Sequence, residues 1–171
     1  MRPMDTVTFW HMVAEVTLGT IDQHKYAWSM MWDRLPKSAQ YYMERGDRLL
    51  INLRSDLESE MFRTGGPQDI NVFYPGEKRE PGKTYPPTNH RGRNYPVMNA
   101  EEWREIGEEL DRCLSYSRTL TKLLSGKVRA NLIDRAIKYH DAVIRARMAL
   151  EPVAQEQIGC WSVLYPEEAA P

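Results

Sequence analysis

Several residue groups in this chain have the types and spacing to do chemistry. His11 and Glu15 lie four apart, one helical turn, and an imidazole beside a carboxylate can share a metal ion. His24 and His140 fall on apolar stripes, where a lone histidine more often serves as a hydrogen-bonded core group than as a ligand. Glu102, Glu105, Glu108 and Asp111 step by three, as do Glu44 and Asp47, and carboxylates on one helix face can hold magnesium. Arg135 and His140 have four residues between them, so a fixed cation and a titratable base occupy neighbouring turns. The thiols are Cys113 and Cys160, too few for a disulfide framework. Cys113 falls mid-helix on the apolar side, away from the cationic helix start that activates a thiol, and reads as a small buried hydrophobe. No Ser/His/Asp order, phosphate loop or zinc spacing occurs.

Two of these groups resemble known families. All-α nucleotide pyrophosphohydrolases of the MazG and dUTPase type carry a Glu-x-x-Glu on one helix and a Glu-x-x-Asp on another, holding magnesium. The resemblance covers Glu44, Asp47, Glu102, Glu105, Glu108 and Asp111 and implies nucleotide hydrolysis. The Glu-x-x-Asp comes first here, which reverses the family order, so membership is not assigned. Acids in a helix's N-terminal half also offset its macrodipole, and that reading is taken for 101–111. Arg135 and His140 resemble the short arginine–histidine motif of HEPN-type ribonucleases, which are helical bundles too. That resemblance implies RNA cleavage by this pair, although Ala136 stands where the family usually has a polar residue. Carboxylate-bridged di-iron bundles need a Glu-x-x-His on two helices, and this chain has none. No catalytic residue, metal or cofactor is therefore assigned.

Four periodic segments must position these groups. The first spans 5–34, with Phe9, Val13, Val16, Thr20, His24, Ala27 and Met31 on one face and Asp5 or Thr6 as cap. Gly19 allows a break, and Pro36 ends the segment. The second spans 37–63, with Tyr42, Leu49, Leu50, Leu53, Leu57 and Met61 as its stripe and Gly65-Gly66 as its stop. The third spans 99–125, where Asn99 and Glu102 resemble a capping box. There Trp103, Ile106, Leu110, Cys113, Ser117, Leu120 and Leu124 form a heptad stripe. The fourth spans 127–150, with Leu132, Ile133, Ile137, His140, Val143 and Ile144 expected inward and Glu151-Pro152 closing it. Short joints at Pro36 and Gly126 make antiparallel neighbours. The expectation is an all-α, antiparallel four-helix bundle of two helical hairpins, one domain over 1–171, with a long irregular insertion at 65–98 between helices 2 and 3.

Within the insertion, 70–74 (INVFY) could form a short strand, one able to pair with 95–98. Its two ends should pack on the helices, and its middle, 76–93, should project toward a partner. Lys78, Arg79, Tyr85, Arg91, Arg93 and Tyr95 are its candidate partner-binding residues. The tail, 152–171, carries Trp161, Val163, Leu164 and Tyr165 and should dock on the bundle or on a partner.

Charge is unevenly spread. Net charge is −1, so the bulk predicts no partner of either sign. Yet 112–147 carries nine basic residues against Asp134 and Asp141, while 101–111 is acidic. Lys122, Lys127, Arg129, Arg135, Lys138 and Arg145 are candidate contacts to a nucleic-acid backbone. The N-terminal MRPMDTVTFW has no apolar run of signal-peptide length, and nothing is long enough to span a membrane, so the cytoplasm is the expected compartment. The leading expectation is a non-enzymatic helical interaction module, a small subunit docking on a larger protein assembly. The alternatives are a nucleic-acid-binding subunit and an enzyme of the pyrophosphohydrolase or ribonuclease kind. Oligomeric state is left open.

Overall fold

The structure is a computed structural model and describes residues 4–31, 34, 36–76 and 97–166. It is all-helical among those residues: α1 (Thr6–Met31), α2 (Lys37–Arg63), α3 (Ala100–Leu124) and α4 (Ala130–Ile158). Local chemistry sets most ends. The Asp5 carboxylate accepts from the Thr8 amide at 2.9 Å and caps α1. Asn99 and Glu102 form a reciprocal capping box on α3. Gly126 takes the left-handed φ of +71° that the α3–α4 turn requires.

The helices form a ring in the order α1, α2, α4, α3, each packed on its two neighbours. One apolar layer joins Phe9, Trp10, Leu57, Met61, Leu120, Leu124 and Leu132. The start of α1, the end of α2, the end of α3 and the start of α4 therefore share one end of the bundle. The other layer centres on Met31, Met43, Trp103, Ile106 and Leu150. Every ring neighbour is thus antiparallel, and the 64–99 connection joins opposite ends, as in bundles with one long crossover. The expected class is what forms.

Four local expectations are corrected. α1 runs unbroken through Gly19, because packing rather than flexibility uses that glycine: a Cβ there would lie 2.8 Å from the Tyr116 ring of α3. The 70–74 segment is no strand but a 3-10 turn, Ile70–Val72, with Asp69 accepting from the Asn71 amide. α4 does not close at Pro152 but continues to Ile158. A proline inside a helix costs about 3 kcal/mol. The two turns beyond it offset that cost by burying Ala154 and by setting Gln157 to accept from Trp103 Nε1 at 3.1 Å and from the Met98 amide at 2.9 Å. Gly159, at φ +68°, then ends the helix. Finally, the inward stripe of α4 is Leu132, Ala136, Tyr139, Val143, Ala146, Leu150 and Ala154. Ile133 and Ile144 are only half-buried, and Ile137 is 51% exposed.

Of the connection's ends, Phe73 is buried edge-on against Trp10 and Met98 is buried in the core, while Ile70 and Val97 are exposed. Tyr95 and the expected projecting middle lie outside the described residues, apart from the exposed Gly76. The described part of the tail, as far as residue 166, docks on the bundle itself. Leu164 is fully buried on α3, and the Arg147 guanidinium lies 4.1 Å from the Tyr165 ring. Gly107 makes that docking possible, since a Cβ there would meet the Leu164 and Val163 backbone at 2.9 Å. Gly107→Ala should cost about 1–3 kcal/mol in denaturant unfolding and expose the tail to protease. Unchanged stability together with an intact tail would show that the segment can shift freely.

Candidate interaction face

The ionisable groups nearest the core are engaged in holding helices together. His24 on α1 is buried, with Nε2 donating to the Met43 carbonyl at 2.8 Å and Nδ1 accepting from the Tyr139 hydroxyl at 3.1 Å. Burial depresses its pKa to about 4, so the ring is neutral near pH 7. Gly46 leaves the room this cluster needs, because a Cβ there would sit 2.8 Å from His24 Cε1. Cys113 is buried and its thiol is pushed up to about 12, the opposite of an activated nucleophile. His140 is half-buried 3.2 Å from Ser117 Oγ, and burial, with Arg118 nearby, lowers its pKa.

Each acid picked from the sequence has a place. Glu102 serves the α3 cap, and Asp111 accepts from Arg147 at 2.6 Å. Glu44 is exposed beside Arg48, Glu105 is exposed and Glu108 is half-buried. Asp47 is partly buried, and desolvation raises its pKa. α2 and α3 are diagonal in the ring, so their carboxylates are not brought face to face. His11 and Glu15 are exposed on α1, beside a cleft of about 670 Å³ that Val72, Pro75 and Tyr116 also line. Among the described residues no group of three or more His, Cys, Asp or Glu is placed to hold a metal ion.

Of the basic residues of 122–145, four have acids beside them. Arg129 pairs with the buried Glu60 at 2.8 Å, and Arg135 pairs with Asp56, tying α4 to α2. Arg63 also bonds Glu60 and, with Arg129, holds that carboxyl below its usual pKa. Lys138 pairs with Asp134 at 2.8 Å and Arg145 with Asp141 at 3.4 Å. Lys127 lies 5.1 Å from the Phe9 ring, and Lys122 is exposed. Arg135 and His140 diverge, Arg135 toward α2 and His140 toward Ser117 of α3. Lys78, Arg79, Tyr85, Arg91, Arg93 and Tyr95 lie outside the described residues.

Sequence reasoning placed Ile133, Ile137 and Ile144 inward and so did not separate a second apolar stripe on α4. Ile133, Ile137, Ile144 and Met148 follow one another at spacings of four, seven and four, so they share a face about 120° round the helix from the buried stripe. That face points outward on the α3 side, since the neighbouring His140 and Arg147 reach Ser117 and Asp111 of α3. Ile137 is 51% and Met148 55% exposed. The available signal was an apolar arc wider than a helix with one covered face needs.

No helix among the described residues is long and apolar enough to cross a membrane. In comparison with known proteins, the chain matches no family model, no curated protein and no solved structure.

Proposed function

We propose that this chain is a non-enzymatic helical interaction module that docks a protein partner on the outer face of α4. The observation that carries the reading is the outer stripe of α4, where Ile137 and Met148 are about half exposed and Ile133 and Ile144 are half-buried beside them. An apolar strip of this kind, rimmed by Asp134, Lys138, Asp141 and Arg145, has the make-up of a docking surface: an apolar centre and a charged rim. The commitment of His24, Glu60, Asp111 and Cys113 to packing and ion pairs also favours a binding role over a catalytic one. The nucleic-acid reading gains no support from the geometry, because Arg129, Arg135, Lys138 and Arg145 are each paired with an acid.

The test is capture from the native cell on immobilised protein, comparing the wild type with an Ile137→Glu, Met148→Glu variant. Both positions are about half exposed, so folding stability should change by no more than about 1 kcal/mol for the two surface changes together. The expected result is a specific protein retained by the wild type and lost from the variant. Identical capture by both would move the docking surface off α4, and an RNA-dependent, salt-sensitive bound fraction would favour nucleic acid instead.

A further inference from the structure

We infer that the protein docked on α4 is a second copy of this chain, lying antiparallel across a two-fold axis beside His140 and Asp141; this rests on the docking reading above. The argument comes from the order of residues along the face. Counting outward from the midpoint between 140 and 141, Ile137 and Ile144 are equidistant, and so are Ile133 and Met148. An antiparallel copy centred there sets Ile137 against Ile144 of the other copy, and Ile133 against its Met148. Apolar groups then meet apolar groups on either side of the axis, with His140 and Asp141 between them. A two-fold interface demands this self-complementarity, because residue i meets j while j meets i.

The charges agree. Along the outer edge of the stripe run Asp134, Lys138, Asp141 and Arg145, with signs minus, plus, minus, plus. Read backwards, that series is its own complement. An antiparallel copy therefore places Arg145 near Asp134 and Asp141 near Lys138, each contact occurring twice. A parallel copy in matched register would set like charges against each other. Within one copy Lys138 pairs with Asp134 and Arg145 with Asp141, Arg145 also bonding Tyr42 of α2, and the four side chains are largely exposed, so a second copy can reach them without uncovering them first.

Size sets the expected strength. From 133 to 148 the strip is about 22 Å long, and α3 and α4 together are about 20 Å wide. That gives roughly 450 Å² per copy, well under the ~800 Å² of a standard stable interface. Arg118, exposed on α3 near His140, also approaches its own copy near the axis. The dimer is accordingly a weak one that forms as concentration rises.

Sedimentation over a wide concentration series reads this directly. The wild type should pass from monomer toward dimer, and Ile137→Glu should stay monomeric with an unchanged helical spectrum. Register is read by cross-linking in a Cys160→Ser background, where the remaining Cys113 is buried. Asp141→Cys lies beside the axis and should oxidise to a linked dimer. Met148→Cys should not link, because its own copy is about 22 Å away and disulfides need Cα atoms within about 7 Å. A monomer at every concentration overturns the self-pairing, as does a dimer that survives Ile137→Glu or links through 148 rather than 141. If the monomer still captures a different protein and Ile137→Glu abolishes that capture, self-pairing fails while the docking reading stands.

Discussion

Arg147→Met should destabilise the bundle by about 3–5 kcal/mol, because it leaves the Asp111 carboxylate without its cation. Arg147 on α4 and Asp111 on α3 meet at 2.6 Å, with side chains only 11% and 12% exposed. A buried pair contributes little net stability, since desolvating two charges offsets most of their attraction, but removing one partner leaves the other's desolvation uncompensated. The double variant Asp111→Leu, Arg147→Met should therefore recover most of the loss and lie close to the wild type. Denaturant unfolding of both single variants and the double forms the cycle. Two single losses that simply add in the double variant would mean that the residues act independently. Methionine keeps much of the arginine stem's volume beside Tyr165, so the tail should stay docked in the double variant.

Acid should weaken the fold through His24. Its folded pKa of about 4 lies below the unfolded value of about 6.5, so the folded state refuses a proton that the unfolded chain accepts. The contribution is complete above pH 6.5. It declines by about 1.4 kcal/mol per pH unit as pH falls from 6.5 toward 4, for a total of about 3 kcal/mol, and is constant below that. His140, whose pKa is also lowered, adds a slope of the same sign. The diagnostic quantity is therefore the difference between the wild type and His24→Gln, which cannot titrate. His24→Gln should be less stable at pH 7, having lost good geometry to Met43 and Tyr139, yet flatter across this window. Equal slopes for the two proteins would remove His24 as the source. Glu60 acts separately: Arg63 and Arg129 hold its carboxyl low, so its contribution is lost only as pH falls further, through its depressed pKa.

Helix existence and most helix ends were legible because their causes are local. Asn99 with Glu102 builds its capping box from four consecutive residues. Gly126 supplies a φ that other residues rarely adopt. The heptad of α3, from Trp103 to Leu124, is buried at every position, because an apolar residue at every step but Ser117 leaves that helix a single way to turn. Fold class follows from such elements once two short joints force antiparallel hairpins.

Ring order, the end of α4 and the candidate face were decided by the tertiary structure alone. α4 offers two adjacent apolar stripes, and periodicity cannot say which is covered. The stripe with Ala136, Tyr139 and Ala146 is buried, with Gly46 of α2 leaving room for the Tyr139 ring, so that side packs and the isoleucine stripe is left toward the outside. Pro152 reads locally as a stop. It is overruled because Gln157, two turns on, finds Trp103 and Met98 across the bundle, and no local rule contains that partner. The pairing of Arg129 and Arg135 with α2 is of the same kind. A run of basic residues reads as free charge along the chain, and becomes a set of ion pairs only when Glu60 and Asp56, some seventy to eighty residues earlier, are folded against it. What the sequence determined by itself was each helix and its caps, since those depend on residues within a turn or two. Which faces met, and which was left for a partner, depended on contacts between segments far apart in the chain.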